Sequence, residues 1–336
     1  MLRSRCALGI TLIASILLFG GPANPWAYST NSFAAALSLQ ESMTSEWLGL
    51  EGVVGTAIGL DRHGHHVLKV YLTQPGIVTM PRVIQGVEIV QEVTGQFIAL
   101  PMADDSVDPT SNLPRPVPIG VSAGHGQVTA GTIGARVTDG NQTFALSNNH
   151  VFAANNVGKA GDNLLQPGVV DGGRDPDDII GTLYDYEPIH FCRAMVCQHN
   201  TIDAAIALTS ADDVGAATPE GGYGSPRPWS QVAALGLKVQ KYGRTTGHTQ
   251  GEVSGLNATI DVAYRDGTAR FEGQIVITGR GFSAGGDSGS LIVTDGLLMA
   301  DRRPVGLLFA GTQTTTLANP IAAVIERFGV HVDDGS

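Results

Sequence analysis

The chain predicts an all-β architecture: two antiparallel barrels closed by a C-terminal helix and preceded by a small α+β module. Three observations carry that expectation. Strand-like stretches follow one another at 128–137, 143–147, 202–208, 232–239, 252–256, 259–264, 274–278, 291–294 and 305–309, with Gly or Asp-Gly between many of them. They show no regular exchange of strand and helix, which disfavours a parallel α/β sheet. The interval 211–230, with Pro219, Gly221, Gly222, Gly224, Pro226 and Pro228, divides the strand-rich region in two. Forty-four glycines against 6% aromatic residues suit short strands and many turns.

Residues 1–27 have the layout of a secretory signal. Arg3 and Arg5 precede an acid-free apolar run from Ala7 to Phe19, which Gly20-Gly21-Pro22 breaks before the small residues Ala23 and Ala27. The run is short for a transmembrane helix, although retention as an N-terminal anchor is the competing reading. From 28 to 118 the chain reads as a module with its own linker. A moderately amphipathic helix covers 32–48, then Val53 to Leu60, the turn Asp61-Arg62-His63-Gly64 and Val67 to Leu72 form a hairpin, and a further strand falls near 87–90. Pro101, Pro109, Pro114, Pro116 and Pro118 among Asp104, Asp105 and Asp108 make an extended, cleavable linker. Residues 119–336 form the two-barrel domain, and the tail at 320–328 reads as its helix.

The formal net charge is −11. Loss of the two arginines of 1–27 takes it to −13, from 18 Lys+Arg against 31 Asp+Glu. Such a balance argues against nucleic acid or an anionic membrane as partner. Cys6 lies in the signal, so Cys192 and Cys197 remain, and export favours a disulfide between them. His190-x-Cys192 and Cys197-x-His199 offer a zinc-type alternative. His63, His65 and His66 at the hairpin tip, and the run from Asp171 to Asp178, offer metal readings too; a charged turn and a solvated loop are the plainer ones.

Chemistry concentrates at Gly286-Asp287-Ser288-Gly289-Ser290. Glycines at 285, 286 and 289 permit backbone conformations that turn the N–H groups of Gly286 and Ser288 toward one point, as an oxyanion hole needs. The same residues also suit an ordinary tight turn. A serine nucleophile requires a base. His150 follows the strand ending at Ser147, and Asp203 opens an apolar strand, where a carboxylate is costly to bury unless hydrogen-bonded. Taken singly, each has a bland reading, as a structural histidine and a strand-start turn residue.

Together, Leu146-Ser147-Asn148-Asn149-His150-Val151, Ile202-Asp203-Ala204-Ala205-Ile206-Ala207 and Gly286-Asp287-Ser288-Gly289-Ser290 resemble the three motifs of chymotrypsin-like serine peptidases, in that family's His, Asp, Ser order. Val239-Gln240-Lys241-Tyr242-Gly243-Arg244-Thr245-Thr246-Gly247 resembles a strand and turn of the bacterial secreted branch. The span 120–330 is similar to a group that includes the narrow-leaf protein of rice, with Thr129-Ala130-Gly131-Thr132 and Gln166-Pro167-Gly168 as shared patches. The resemblance implies a chymotrypsin-like double barrel in a secreted or cell-envelope endopeptidase acting on protein or peptide. In it Ser288 attacks, His150 moves the proton and Asp203 holds the imidazole. It further implies amides of Gly286 and Ser288 at the oxyanion, Arg244 as the buried partner of Asp287, and Phe282 at the floor of the main specificity pocket. No cofactor or metal is called for, and the oligomeric state stays open. Asn148-Asn149 departs from the small residues that family places before its histidine. An esterase with the same triad, or a non-catalytic peptide binder on the scaffold, are the alternatives.

Overall fold

In the computed structural model, residues 32–98, 109–193 and 196–336 are described. The expected signal at 1–27 and residues 101–108 of the proline-rich linker lie outside them.

The N-terminal part comprises α1 (Phe33–Trp47), β1 (Val53–Leu60), β2 (His66–Leu72), β3 (Val83–Ile84) and β4 (Val87–Val93). Ser32 caps α1 by accepting from the Ala35 N–H. The first barrel follows with β5 (Ser122–His125), β6 (Gly131–Thr132), β7 (Ala135–Thr138), β8 (Thr143–Ser147), the short α2 (Asn149–Phe152), β9 (Asn163–Leu165) and β10 (Ile179–Tyr186). Then come β11 (His199–Asn200) and β12 (Ala205–Thr209). The second barrel holds β13 (Lys238–Gly243), β14 (Gly247–Tyr264), β15 (Gly267–Thr278), β16 (Leu291–Thr294), β17 (Pro304–Gly311) and β18 (Thr315–Pro320), and the chain ends with α3 (Ile321–Phe328) and β19 (His331–Val332).

The second barrel is closed by antiparallel pairing in the circuit β13-β14-β15-β18-β17-β16 and back to β13. Closure leaves no free edge within the ring. The first barrel is a curled sheet in the order β19-β7-β8-β12-β10-β9-β5-β6. Its core of Val121, Ile133, Phe144, Leu146, Phe152 and Ile206 is buried. The helix α3 leaves the second barrel but packs Ile321 and Val324 into the core of the first, and β19 pairs beside β7. The last residues therefore tie the two barrels together.

The expected single strand at 128–137 is broken at 133–134, and residue 134 has to be glycine, because a Cβ there would lie 2.2 Å from the carbonyl oxygen of Gly289. The nucleophile loop occupies that space. The two expected strands at 252–256 and 259–264 are one, β14, interrupted by bulges around Gly255 and by Asn257 at φ +52°. Its first half pairs with β13 and its second half with β1.

That last pairing changes the picture of the N-terminal module. One face of its sheet packs under α1 through Leu39, Trp47, Ile58, Leu68 and Val70. The other face places Val54, Ala57, Tyr71 and Phe97 in one cluster with Ile260, Phe271, Phe309 and Leu317 of the second barrel. The module thus shares both a sheet and a core with the barrel, where the sequence suggests a separately folded unit. At its exit, Phe97 O accepts from the Ala263 N–H at 3.0 Å, and Ile98 pairs antiparallel with Gly311.

Candidate active site

The register of the first barrel brings two of the expected residues together. β8 and β12 run antiparallel with Ser147 opposite Ala205, so the residues just beyond these ends, His150 and Asp203, meet at one lip. Asp203 is fully buried. Its Oδ2 accepts from His150 Nδ1 at 2.6 Å, and its Oδ1 accepts from the His150 backbone N–H at 3.2 Å. The Asp203 main chain is held as well: its N–H donates to Asn319 Oδ1 in β18, and its carbonyl accepts from Asn148 Nδ2. A carboxylate surrounded by donors carries its burial without large cost.

Asn148 and Asn149, the departure from the family pattern, are structural ties. Asn149 Nδ2 donates to the carbonyl of Glu187 at 2.7 Å and to Asn156 Oδ1 at 2.8 Å, and its own Oδ1 accepts the Asn156 N–H. The amides thereby anchor the turn after α2, where Ala154, Asn155 and Asn156 all take positive φ.

Ser288 sits in a tight loop supported from the first barrel. The N–H groups of Asp287, Gly289 and Ser290 donate to Ala284 O, Leu308 O and Asp287 O. Gly286 and Gly289 both have φ +94°, a region that favours glycine. Thr132 of β6 then grips the loop twice: its N–H donates to Ser288 O and its hydroxyl to Gly286 O, each at 2.8 Å. Ser288 Oγ and His150 Nε2 are both buried, and neither has a hydrogen-bond partner among the described residues. Nucleophile and base bonds of this kind often tighten only when substrate binds.

Arg244 does not pair with Asp287, contrary to the expectation. Arg244 Nε donates to Asp171 Oδ2 at 2.8 Å and Nη2 to Asp171 Oδ1, so its fork clamps the first barrel to the second. Asp171 is thereby used as an ion-pair partner, which removes it from any calcium set, while Asp178 accepts from the Arg174 N–H. The cation beside Asp287 is Lys241, fully buried, with Nζ 3.5 Å from Asp287 Oδ2. Asp287 also accepts from the N–H groups of Thr245, Thr246 and Ala284 and from the Thr246 hydroxyl. Burial pulls the Lys241 ammonium below its ordinary proton affinity, and the Asp287 charge partly offsets this.

Sequence reasoning misses Lys241, although it shares the inward face of β13 with the core residue Val239, two positions earlier. It also misses Tyr264, whose hydroxyl donates to Asp203 Oδ2 at 2.9 Å, and Thr132. Nothing local in the sequence marks Tyr264, and the patch Thr129-Ala130-Gly131-Thr132 carries no sign of the loop that Thr132 grips. Phe282 is not an open pocket floor: it is 2% exposed and packs among Val239, Val253 and Ile277 inside the second barrel.

Cys192 and Cys197 form a disulfide, which rules out both sulfurs as zinc ligands. His199 is engaged by Glu272. At the hairpin tip His65 Nδ1 lies 3.1 Å from Asp61 Oδ2, and His248 Nε2 lies 2.7 Å from Gln240 Oε1. No cluster of three or more metal-type ligands occurs among the described residues, and no helix there is long and apolar enough to cross a membrane.

A closed antiparallel barrel beside a second curled sheet, with a C-terminal helix, is the fold of chymotrypsin-like serine proteases. Residues 229–333, which span the second barrel and α3, match the family model described as the Nal1 C-terminal domain. Among curated proteins none matches. Of solved structures, the chain is similar to protease A of Thermobifida fusca, at 23% identity over 65% of this chain and 100% of that one, with a TM-score of 0.46. It is similar also to the chymotrypsin of Cellulomonas bogoriensis, at 20% identity over 65% and 98%, TM-score 0.43. A glutamic acid-specific serine protease aligns at 20% identity over 65% and 100%, TM-score 0.45.

Proposed function

We propose that the protein is a serine endopeptidase, exported through residues 1–27 to the cell envelope or medium, with 28–118 as a propeptide or accessory module and 119–336 as the peptidase. The observation that carries this reading is the 2.6 Å bond between His150 Nδ1 and a fully buried Asp203. It supports an imidazole held at Nδ1, with Nε2 turned away from Asp203 to take a proton, and a carboxylate placed to stabilise the imidazolium that follows. Ser288 Oγ attacks the carbonyl carbon, its proton passes to His150 Nε2, and the tetrahedral oxyanion accepts from the N–H groups of Gly286 and Ser288. Collapse expels the amine, which takes the proton from His150; water then repeats the sequence on the acyl-enzyme. Asp287, held by Lys241 and four hydrogen bonds, fixes the loop from beneath without any newly created amino terminus.

A peptide substrate is favoured over a simple ester by the pairing of Ile98 with Gly311. Gly311 lies three residues beyond Leu308, whose carbonyl accepts from Gly289. The edge leading away from the nucleophile loop therefore pairs with an extended main chain in the manner of β-strand addition, here the chain's own Ile98, whose N–H donates to Gly311 O and whose carbonyl accepts from the Gly311 N–H.

A fluorophosphonate probe is expected to label the purified protein, and Ser288→Ala abolishes the labelling. Labelling that persists in Ser288→Ala rejects the assignment. Folded wild-type protein that takes no label and still binds peptides points instead to a non-catalytic scaffold. Because Val54, Ala57, Tyr71 and Phe97 belong to the barrel's own core cluster, cleavage of the linker is expected to leave both pieces associated on size-exclusion chromatography. An active peptidase piece eluting alone contradicts that shared core.

A further inference from the structure

We propose that Tyr264 is a positioning residue of this site, holding Asp203 from the opposite barrel so that its carboxylate presents one fixed oxygen to His150. The proposal rests on the peptidase reading of Ser288, His150 and Asp203.

His150 and Asp203 both come from the first barrel, and Tyr264 ends β14 of the second. Its hydroxyl donates to Asp203 Oδ2 at 2.9 Å, the same oxygen that accepts from His150 Nδ1 at 2.6 Å. The ring is set on three sides. It meets His150 edge-on at 5.8 Å and 69°, Phe191 edge-on at 5.7 Å and 79°, and Phe271 at 6.1 Å. Phe271 is braced in turn by Phe309 at 4.8 Å. A ring so confined aims its hydroxyl without further ordering cost.

The direction of the bond is settled by burial. Desolvation, with the Asp203 charge and the hydrogen bond itself, raises the phenol well above its ordinary range, so Tyr264 remains a donor through any working pH. Other charged groups stand on the elements around it. Asp266 in the β14–β15 turn accepts from Asn155 Nδ2, Asp261 of β14 is ion-paired with Arg270 of β15, and Arg265 follows Tyr264. His190 and Arg193 lie on the stretch before β11, and Glu187 is ion-paired with Arg327. The charge that acts on the Tyr264 hydroxyl is that of Asp203.

Two consequences follow from a shared acceptor. Donation from Tyr264 draws negative charge from Oδ2 and so limits how strongly Asp203 stabilises the imidazolium. It also stops the carboxylate from rotating, which keeps the imidazole in the tautomer whose Nε2 is a base.

Tyr264→Phe keeps the ring and removes only the donor. With a small amide substrate, kcat at its plateau is expected to fall about tenfold with KM within about twofold, because a carboxylate free to rotate no longer holds the imidazole in its reactive tautomer. The acid limb of kcat/KM is expected to move upward by about half to one pH unit, because the imidazolium is then better stabilised. The His150 Nδ1 proton resonance, read by NMR in Ser288→Ala and in Ser288→Ala with Tyr264→Phe, shifts between the two without any need for turnover. An unchanged pH profile together with an unmoved resonance overturns the proposal. So does a fall in kcat that tracks lost thermal stability alone. A protein with no turnover and no label, but with the resonance shift, fails the peptidase reading and keeps the Tyr264–Asp203–His150 arrangement.

Discussion

Exchange of His150 for alanine is expected to lower the kcat of amide hydrolysis by about 10⁴- to 10⁶-fold while KM changes little. The reason lies in what remains. Ser288 Oγ has no hydrogen-bond partner among the described residues, so no side chain other than His150 is placed in that role, and a hydroxyl at its ordinary acidity is a poor nucleophile. The oxyanion donors and substrate contacts survive, which sets a floor about 10³-fold above the uncatalysed reaction. Stability should change far less. Asp203 keeps the Tyr264 hydroxyl and the backbone N–H of residue 150, so the cost is that of one hydrogen bond to a charged group, about 1.5–3 kcal/mol. Measured kcat and KM, beside a denaturant titration of the same variant, test both halves. A loss in kcat below tenfold would mean that another group serves as the base.

The meeting of His150 with Asp203 was legible because each sits beside a strand end, and antiparallel β8 and β12 make neighbouring ends coincide. The nucleophile loop was legible because Gly286 and Gly289 are needed where φ is positive. Support for that loop was not, because it comes from afar. Thr132 reaches it across 154 residues, and nothing beside Thr132 signals a partner at Gly286. The error over Arg244 has a local cause. Lys241 and Arg244 stand three apart across the end of β13, and the more familiar cation draws the assignment. Alternation with Val239 puts Lys241 inside the barrel, whereas Arg244 lies past Gly243, where the chain turns toward Asp171. The fold shows the same division. Short barrel strands were readable from their apolar runs, yet β18 was hidden by the polar Thr315-Thr316, although both side chains are buried. The sharing of β14 between the barrel and β1 depends on a pairing about 200 residues apart, which no local pattern encodes.

The second large effect is expected at Lys241. Lys241→Met should destabilise the protein by about 3 kcal/mol, because removal of one partner leaves Asp287 as a buried charge without a cation. The value sits at the low end for such changes, since three backbone N–H groups and the Thr246 hydroxyl still donate to that carboxylate. Asp287→Asn added to Lys241→Met relieves the stranded charge, so the double variant should be more stable than Lys241→Met alone. The pH dependence gives an independent sign. Burial depresses the proton affinity of folded Lys241 below its unfolded value of 10.5, with Asp287 opposing. In the alkaline window just below that value the unfolded chain holds more protons than the folded one, so wild-type stability gains from this group as pH rises. Lys241→Met lacks that gain, and the gap between the two proteins should widen through the window. Denaturant titrations of both at neutral and alkaline pH measure it, and a gap that narrows would mean that the Asp287 charge outweighs burial at Lys241. Fluorophosphonate labelling of Lys241→Met should slow as well, because Asp287 directly precedes Ser288 and its anchoring fixes the loop that aims the hydroxyl.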